Sequence, residues 1–443
     1  MKKRILTILL VALILSCTGC QNTAPDKPGT EEPTGAVPTE TREDTAAPTQ
    51  SGLPETETYP TESAEEPAFP LSDGITIPEL EVIHYTTPDT EAMRFADALG
   101  VGWNLGNTFD AYDDDGYAAN EMAIEEYWQH TYTTREMIAD IKAFGFDSIR
   151  IPVSWHNHVS GDVEISEQWL SRVDEVIGWA LDEGLYVIVN IHHDNHPQAG
   201  GIYPDSAHLE ASKHYIQRIW EQLSERFEKY DEHLIFEAMN EPRLVGHNNE
   251  WWIDPGSEDC KDAIRCINEL NQTFVDTVRA TGGRNANRYL ICTGYCASFD
   301  GVTSPFFRLP EDSTPDHLIL MMHAYTPYSF ALDWPGTEHF SVTEEDSTSE
   351  IDELMYRLYM KYIGQGIPVV IDEFGARDKN GNLQERVDFA AYFVNAARSR
   401  GISCFWWDNN AFSGDGELFG IYDRRDPANS TYDIISALMY YSK

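Results

Sequence analysis

Short apolar segments alternate with longer amphipathic segments from about residue 100 to the end of the chain. The apolar segments are typical of buried strands, and the recurrence of apolar residues every three or four positions in the others indicates helices. The segments predicted as strands are Val101–Asn107, Asp147–Val153, Tyr186–His193, Leu234–Glu241, Tyr289–Tyr295, Leu318–Tyr325, Pro368–Gly375 and Ser403–Asn409. The segments predicted as helices are Thr133–Phe144, Ser166–Glu183, Ala207–Tyr230, Cys260–Thr281, Ser347–Gly364 and Leu383–Ser399. Strand–helix alternation predicts an α/β fold with a parallel sheet, and eight strands favour a single closed (β/α)8 TIM barrel.

The chain before residue 73 has a different composition. Residues 1–20 begin with a basic stretch and continue with an apolar run that ends at Leu15, which is typical of a signal peptide. The segment ends in small residues and Cys20, and it resembles a bacterial lipoprotein signal in which Cys20, rather than Cys17, is lipidated. An ordinary secretory signal is the alternative. Residues 21–72 are rich in Pro, Thr and Glu and predict a disordered linker, so the barrel domain is expected at residues 73–443.

Charge and composition narrow the classes of partner. The formal net charge is −43, and such a surface repels phosphate polymers, so we expect no nucleic-acid partner. A neutral polymer is not repelled, although solubility outside the cell also explains the charge. The segment with Gly102 and Gly106 lacks the glycine spacing of a dinucleotide-binding loop. We expect a monomer that is attached to a membrane only through the lipid on Cys20, or one that is freely secreted.

Polar side chains stand at the carboxyl ends of most predicted strands, which is where (β/α)8 barrels carry their active sites. Asn240 and Glu241, followed by Pro242, end the fourth strand, and Glu373 ends the seventh. Two carboxylates at two strand ends are the groups that hydrolyse a glycosidic bond. We therefore expect Glu241 and Glu373 to face each other across a groove at about 5 Å. Because two close carboxylates do not both ionise cheaply, one of their pKa values is expected to rise.

Several neighbouring residues also have a simple structural interpretation. Glu237 shares the strand parity of Glu241, so it is expected to point inward in a structural role. Alternation along the strand predicts that Asp372 faces away from Glu373, so we expect it behind the site or in the barrel wall. His192 and His193 suggest a metal site, but adjacent strand residues do not both face one ion, and no partner at ligand spacing follows them. We therefore predict neither a metal nor an organic cofactor.

The motifs along the barrel form an ordered set. They are Gly102–Asp110, Ile149–His158, Asn190–Asp194, Phe236–Arg243, His323–Tyr325, Ile371–Gly375 and Phe405–Asn409. With this set the chain resembles glycoside hydrolase family 5 of clan A, and within it the subfamily of bacterial endoglucanases numbered four. One departure is Asn410, where the family often has glycine, and it bears on the shape of the loop there rather than on the catalytic residues.

The resemblance implies that Glu241 is the acid/base and Glu373 the nucleophile of a retaining endo-β-1,4-glucanase. It implies supporting roles for Arg150, His192, Asn240, His323 and Tyr325. It implies sugar contacts for Asn104 and His193. Ring faces for sugar stacking are expected from Trp407, Trp155 and Tyr203. The implied substrates are plant cell-wall β-glucans, namely cellulose, xyloglucan or mixed-linkage glucan.

Three alternatives remain open at this point. A xylanase or mannanase uses the same fold, because loops select the polymer. A surface lipoprotein that binds glycans without cleaving them belongs to a different class. A metallohydrolase would use His192 and His193 as ligands.

Overall fold

The computed structural model describes residues 56–58, 67–195, 201–414 and 416–443. The predicted signal peptide with Cys20, and most of the predicted linker, lie outside the described residues. Within the described ranges, eight parallel strands close into a barrel, with helices between successive strands. The predicted (β/α)8 barrel is therefore confirmed. None of the helices that the structure describes is long and apolar enough to cross a membrane.

The barrel strands follow one another around the barrel in sequence order. The strands described are β1 (Thr56–Thr58), β2 (Ile83–Tyr85), β3 (Val101–Leu105), β4 (Ser148–Ile151), β5 (Val159–Ser160), β6 (Glu164–Ile165), β7 (Tyr186–Asn190), β8 (Leu234–Glu237), β9 (Leu290–Thr293), β10 (Leu318–Ala324), β11 (Val369–Phe374) and β12 (Ser403–Asp408). The barrel consists of β3, β4 and β7 to β12. All eight predicted strands are present, and each ends before its predicted last residue. Several polar residues predicted at strand ends therefore open the loops at the barrel mouth.

The helices surround the barrel and bury one apolar face each. They are α1 (Glu91–Ala98), α2 (Arg135–Ala143), α3 (Glu167–Asp182), α4 (Leu209–Phe227), α5 (Glu258–Ala280), α6 (Phe299–Thr303), α7 (Tyr328–Ala331), α8 (Glu345–Lys361), α9 (Leu383–Arg398) and α10 (Tyr432–Tyr440). In α2, for example, the Thr134 hydroxyl accepts the Met137 N–H and so starts the helix. Met137, Ile138 and Ile141 then recur at helical spacing and are buried in the core.

The chain joins the barrel domain earlier than residue 73, the predicted start. Strand β1 pairs antiparallel with β2. The Phe69 N–H donates to the Ser436 hydroxyl, and the Phe69 ring packs edge-on against Phe144. The Ser72 hydroxyl donates to Asp433 on α10. A single aromatic residue in a polar segment carries too little compositional signal to mark this boundary.

Candidate active site

Glu241, four residues beyond the end of β8, and Glu373, on β11, meet at the mouth of the barrel. One carboxylate oxygen of each lies, together with a ring nitrogen of His323, within 4.8 Å of the others. The Glu241 side chain is 19% exposed and the Glu373 side chain 7%, so both are open to a substrate. The expected facing of the two carboxylates is confirmed, because one oxygen of each lies within 4.8 Å of the other. Retaining glycosidases use such a close pair of carboxyl groups.

Arg150, on β4, holds the base of the site together. It is fully buried, and its Nη1 donates to Glu373 Oε1 at 2.7 Å and to Asn104 Oδ1 at 3.0 Å. Its Nε and Nη2 donate to Glu237 at 2.7 and 2.8 Å, and Nη2 also donates to Asn240 Oδ1 at 2.7 Å. Burial lowers the pKa of Arg150, but neighbouring carboxylates, Glu237 first, raise it well above its usual value. A fixed cation therefore orients two carboxylates and two amides, and the predicted inward position of Glu237 is confirmed.

Tyr325 supplies a second donor to Glu373. Its hydroxyl donates to Glu373 Oε2 at 3.0 Å, on the oxygen that Arg150 does not bond. Burial raises the pKa of Tyr325 well above its usual value, so the hydroxyl keeps its proton and remains a donor. Each oxygen of Glu373 thus accepts one hydrogen bond, which stabilises a negative charge on this carboxylate.

His323, on β10, couples to Glu241. Its Nδ1 lies 2.9 Å from Glu241 Oε1 and 3.4 Å from Glu373 Oε2. Burial lowers the pKa of His323, but the Glu373 charge and the contact with Glu241 raise it to about 9. Burial raises the pKa of Glu241, but the hydrogen bond and charge of His323, followed by Arg243, lower it to about 2. The expected rise is therefore wrong for Glu241, because in this state the proton of the pair lies on His323.

Two histidines and an aromatic side chain lie on another side of the site. The Asn190 amide donates to His192 Nδ1 at 3.1 Å, and the His192 ring is parallel to Trp407 at 5.8 Å. Burial lowers the pKa of His192 well below its usual value, and burial with Arg243 lowers that of His193 to about 4. Both rings are therefore neutral near pH 7. Trp407 is 8% exposed, and its role as a sugar platform stays a prediction.

Asp110 lies next to His192 and His193, although the spacing of these residues in the sequence did not indicate it as a possible third metal ligand. One carboxylate oxygen of Asp110 and one ring nitrogen each of His192 and His193 lie within 4.8 Å of one another. Both Asp110 oxygens, however, accept backbone N–H groups, at 2.7 Å from Thr108 and 3.0 Å from Asn107. Burial raises the pKa of Asp110 to about 7. A carboxyl group whose two oxygens already accept backbone hydrogen bonds is a poor metal ligand, so this cluster is better explained as a structural turn.

Two predicted sugar contacts are wrong. Trp155 is completely buried and its indole N–H donates to the Asn190 carbonyl at 2.9 Å, so it offers no ring face. Asn104 is also completely buried. Its amide nitrogen donates to the Asp372 and Trp406 carbonyls, and its oxygen accepts from Arg150. Asn104 therefore braces the barrel beneath the site.

Asp372 lies behind the site, which is one of the two positions expected for it, but it does not face away from Glu373 as strand alternation predicted. Its carboxyl group is completely buried, with Oδ2 at 3.4 Å from Arg150 Nε and Oδ1 at 3.5 Å from His323 Nε2. The pairing register shifts between Ile371 and Phe374, and also next to His323 on β10. Such an irregularity in a strand disturbs the strict alternation of side chains. Asp372 and Glu373 consequently both contact Arg150.

The loop after β8 contributes residues that the sequence did not single out. Arg243 Nη1 lies 3.5 Å from Glu241 Oε2, and its guanidinium stacks over the Trp251 ring at 4.0 Å. Trp251 is 52% and Trp252 62% exposed. The signal that could have revealed them is two adjacent tryptophans in a polar loop. Tyr203 donates its hydroxyl to the Val245 carbonyl of the same loop, and its sugar contact stays a prediction.

The loop after β12 resolves the departure noted at Asn410. Asn410 has a φ of 56°, which is a left-handed backbone conformation. Glycine adopts it freely, and asparagine tolerates it better than most other residues. Asn410 therefore preserves the turn that a glycine would form at this position.

A (β/α)8 barrel with paired carboxylates at the ends of its fourth and seventh strands defines a glycoside hydrolase. The family model for cellulase, glycosyl hydrolase family 5, matches residues 112–413. The chain therefore belongs to glycoside hydrolase family 5.

Curated relatives and solved structures are similar to this chain over most of its length. Endoglucanase A of Ruminococcus albus is 38% identical over 80% of this chain and 94% of its own length. A family 5 lichenase from a Caldicellulosiruptor species, solved as a mutant with cellotetraose, is 49% identical with a TM-score of 0.82, over 83% of this chain and all of its own. A broad-specificity endoglucanase from Ruminococcus champanellensis with cellotriose is 39% identical with a TM-score of 0.74, over 80% of this chain and 99% of its own.

Proposed function

We propose that this endo-β-glucanase cleaves β-1,4-linked glucan backbones with net retention, with Glu373 as the nucleophile and Glu241 as the acid/base. The observation that carries the proposal is the approach of the two carboxylates to within 4.8 Å, with different partners on each. Arg150 and Tyr325 donate to Glu373, whereas His323 contacts Glu241. The first set stabilises an anion, and the second supplies a proton.

In the first step, a Glu373 oxygen attacks the anomeric carbon while the bond to the leaving oxygen breaks. The proton shared by His323 and Glu241 passes through the Glu241 carboxyl to that oxygen, which departs as a hydroxyl. The product is a glycosyl ester of Glu373. In the second step, Glu241 takes a proton from water, the water oxygen attacks the anomeric carbon, and Glu373 is released as a carboxylate.

Asn240 is suited to bind the sugar next to the nucleophile. Its amide oxygen accepts from Arg150 at 2.7 Å, which fixes the orientation of the side chain and reserves the amide nitrogen for a donor role. A hydrogen bond to the sugar 2-hydroxyl strengthens as the oxocarbenium-like transition state forms. His193 and Trp407 are further sugar contacts in this proposal.

The leaving-group side of the cleft is the side of Glu241, because Glu241 protonates the departing oxygen. The indole of Trp251, stacked on Arg243, stands on this side and is half exposed. Sugar rings pack their C–H faces on such aromatic surfaces. We assign Trp251 as the platform for the first leaving-group sugars.

The substrate class rests on the relatives, which include an endoglucanase, a lichenase and a broad-specificity endoglucanase of subfamily four. We place this chain in the same subfamily, with cellulose, mixed-linkage glucan and xyloglucan as substrates. Xylan and mannan are the alternatives. The test is a panel of these polysaccharides with product analysis by chromatography. Rapid loss of viscosity on the glucans supports the proposal, and cleavage of xylan or mannan alone contradicts it.

A metal-dependent hydrolysis at His192 and His193 makes a different prediction for the same panel. Excess chelator would abolish such an activity, whereas the two-carboxylate mechanism keeps its full rate. Restoration of a chelated enzyme by Zn²⁺ alone would support the metal-dependent alternative.

For localisation, we propose export and attachment to the bacterial cell surface through a lipid on Cys20. The support is the sequence of residues 1–20, with its basic start, apolar run and small residues before the cysteine. Metabolic labelling with a fatty-acid probe tests it. Loss of label and release to the medium in Cys20→Ala support the proposal, whereas labelling that depends on Cys17 contradicts it.

A further inference from the structure

Asp372 is a completely buried carboxyl group to which the mechanism above gives no role. It touches residues that serve both glutamates, with Oδ2 at 3.4 Å from Arg150 Nε and Oδ1 at 3.5 Å from His323 Nε2. As a carboxylate it has no hydrogen-bond donor on either oxygen, and His323 Nε2 has no acceptor. An ionised carboxylate that accepts no hydrogen bond at such a depth is costly, so this cluster requires another assignment of protons.

The donors around Asp372 are taken by Glu237. Glu237 accepts from Arg150 Nε and Nη2 at 2.7 and 2.8 Å and from Asn190 Nδ2 at 2.8 Å. Of the two adjacent carboxyl groups, Glu237 is therefore the anion and Asp372 carries the proton. Burial raises the pKa of Asp372 well above its usual value, and the Glu237 charge adds to this effect. A hydrogen bond from Asp372 in turn lowers the pKa of Glu237.

A protonated Asp372 donates to Glu237 with its O–H and keeps its other oxygen as an acceptor. His323 Nε2 faces that oxygen at 3.5 Å, which is a few tenths of an ångström longer than an ordinary hydrogen bond. The charged groups that face Asp372 are Arg150 from β4, Glu237 from β8, His323 from β10 and Glu373 on its own strand. All of them remain compatible with this arrangement of protons.

We propose that Asp372 is a positioning residue for acid/base catalysis, which accepts the Nε2–H of His323 and leaves Nδ1 to exchange a proton with Glu241. In the resting state both ring nitrogens carry protons. When Nδ1 passes its proton to Glu241, Nε2 keeps its own because Asp372 accepts it, so the ring does not change to the other tautomer. The inference rests on the proposed function, since it acts through Glu241 as the acid.

The experiment compares Asp372→Asn with Asp372→Leu on two substrates. Cellotetraose needs a protonated leaving oxygen, whereas 2,4-dinitrophenyl β-cellobioside does not. Asparagine reproduces the protonated acid, with one donor and one acceptor, and leucine has neither. We expect Asp372→Leu to lower kcat/KM on cellotetraose by about 100-fold and on the dinitrophenyl substrate by less than about threefold. In Asp372→Leu the basic limb of the pH profile of kcat/KM should move about one pH unit lower, because the protonated His323–Glu241 pair loses the acceptor of its Nε2–H.

For Asp372→Asn we expect a loss below about tenfold on cellotetraose and a basic limb at its original pH. If the basic limb moves to lower pH in Asp372→Asn, the proposal is overturned, because such a shift means that the native Asp372 acts as an anion. This test remains valid even if Asp372→Leu does not fold. An equal loss on both substrates in a folded Asp372→Leu would also overturn it. Glu241→Ala is measured alongside: if it does not discriminate between the substrates, the proposed function fails, whatever Asp372 does.

Discussion

His323 Nδ1 lies 2.9 Å from Glu241 Oε1, which makes the two side chains a single acid with one proton to transfer. Their pKa values move in opposite directions, with His323 raised to about 9 and Glu241 lowered to about 2. A carboxylic acid with such a low pKa would be useless as a donor by itself. The imidazolium next to it keeps the proton at the site until a glycosidic oxygen arrives.

The first prediction concerns pH and His323. The groups that face this pair are Glu373, Asp372, Arg243 and His193. Since the pair holds its proton until the pH approaches 9, the basic limb of kcat/KM should lie on the alkaline side of neutrality. In His323→Gln the proton depends on the Glu241 carboxyl alone, so we expect the basic limb to move at least one pH unit lower. Rate profiles on cellotetraose from pH 4 to 10 measure this shift, and an unchanged limb contradicts it.

The same pKa has a consequence for stability. The folded-state pKa of His323 lies above its usual value of 6.5. The charged imidazole therefore stabilises the fold fully below pH 6.5, and this contribution is lost as the pH rises through about 9. The difference in unfolding free energy between wild type and His323→Gln should shrink over this window. Urea titrations at pH 6 and pH 9.5 measure it, and a difference that grows with pH is the contrary result.

The second prediction tests the two glutamates separately. Glu373→Gln and Glu241→Ala should each lower kcat by about 10³-fold or more, because one loses the nucleophile and the other the proton donor. Azide should rescue only Glu241→Ala, since it attacks the glycosyl ester without a general base and leaves a β-glycosyl azide. The control is Glu417→Gln. Glu417 is an exposed glutamate whose charge also acts on Tyr325, so this variant shows how much of the loss comes from removing a nearby negative charge alone. Near-normal turnover in either test variant ends the assignment.

The sequence predicted those features that depend on strand number and strand parity. Eight apolar segments that alternate with helices were enough to predict the barrel, and strand parity correctly predicted the inward position of Glu237. Parity failed for Asp372, because the register shift between Ile371 and Phe374 arises from pairing with a neighbouring strand and leaves no mark on the local pattern.

Burial and proton location were harder to predict than strand ends. Trp407 lies on β12, whereas Trp155 lies four residues beyond the end of β4, where the chain turns its indole toward the Asn190 carbonyl. The coupling of His323 to Glu241 depends on a 2.9 Å contact between β10 and the loop after β8. The stack of Arg243 on Trp251 depends on the path of a loop. The first two depend on distances between segments that are remote in sequence, and the third depends on how a loop folds back on itself.

The third prediction concerns stability and Arg150. The guanidinium of Arg150 donates to Glu237 through two nitrogens and also donates to Glu373. A lysine ammonium cannot make all of these contacts. Arg150→Lys should leave buried carboxylate charge poorly paired and lower the unfolding free energy by about 3–5 kcal/mol. The control is Arg135→Lys, because Arg135 forms an exposed ion pair with Asp182 and should cost less than about 1 kcal/mol. Urea unfolding measures both, and equal effects contradict the prediction.

The fourth prediction concerns Trp251 and its neighbour Trp252, which form a matched pair of exposed indoles in one loop. Trp251 is held from below by Arg243, and Arg243 in turn contacts Glu250 Oε1 at 3.3 Å. The loop itself is fixed, because the Tyr295 hydroxyl accepts the Leu244 N–H at 3.1 Å and donates to the Asn249 carbonyl at 2.7 Å. The ring is therefore preorganised, which favours binding to it over binding to a mobile side chain.

Trp251→Ala should consequently raise KM for cellopentaose and cellohexaose by about tenfold, since stacking on an aromatic platform contributes about 1–1.5 kcal/mol. It should leave kcat/KM on an aryl β-cellobioside within about twofold, because that substrate places no sugar on the leaving-group side. Trp252→Ala, which removes an equally large exposed indole without a stacked arginine, should change both values by less than about twofold. Initial rates on the two substrate types decide the matter. Equal losses on both substrates, or a larger effect from Trp252→Ala, would remove Trp251 from the leaving-group side of the cleft.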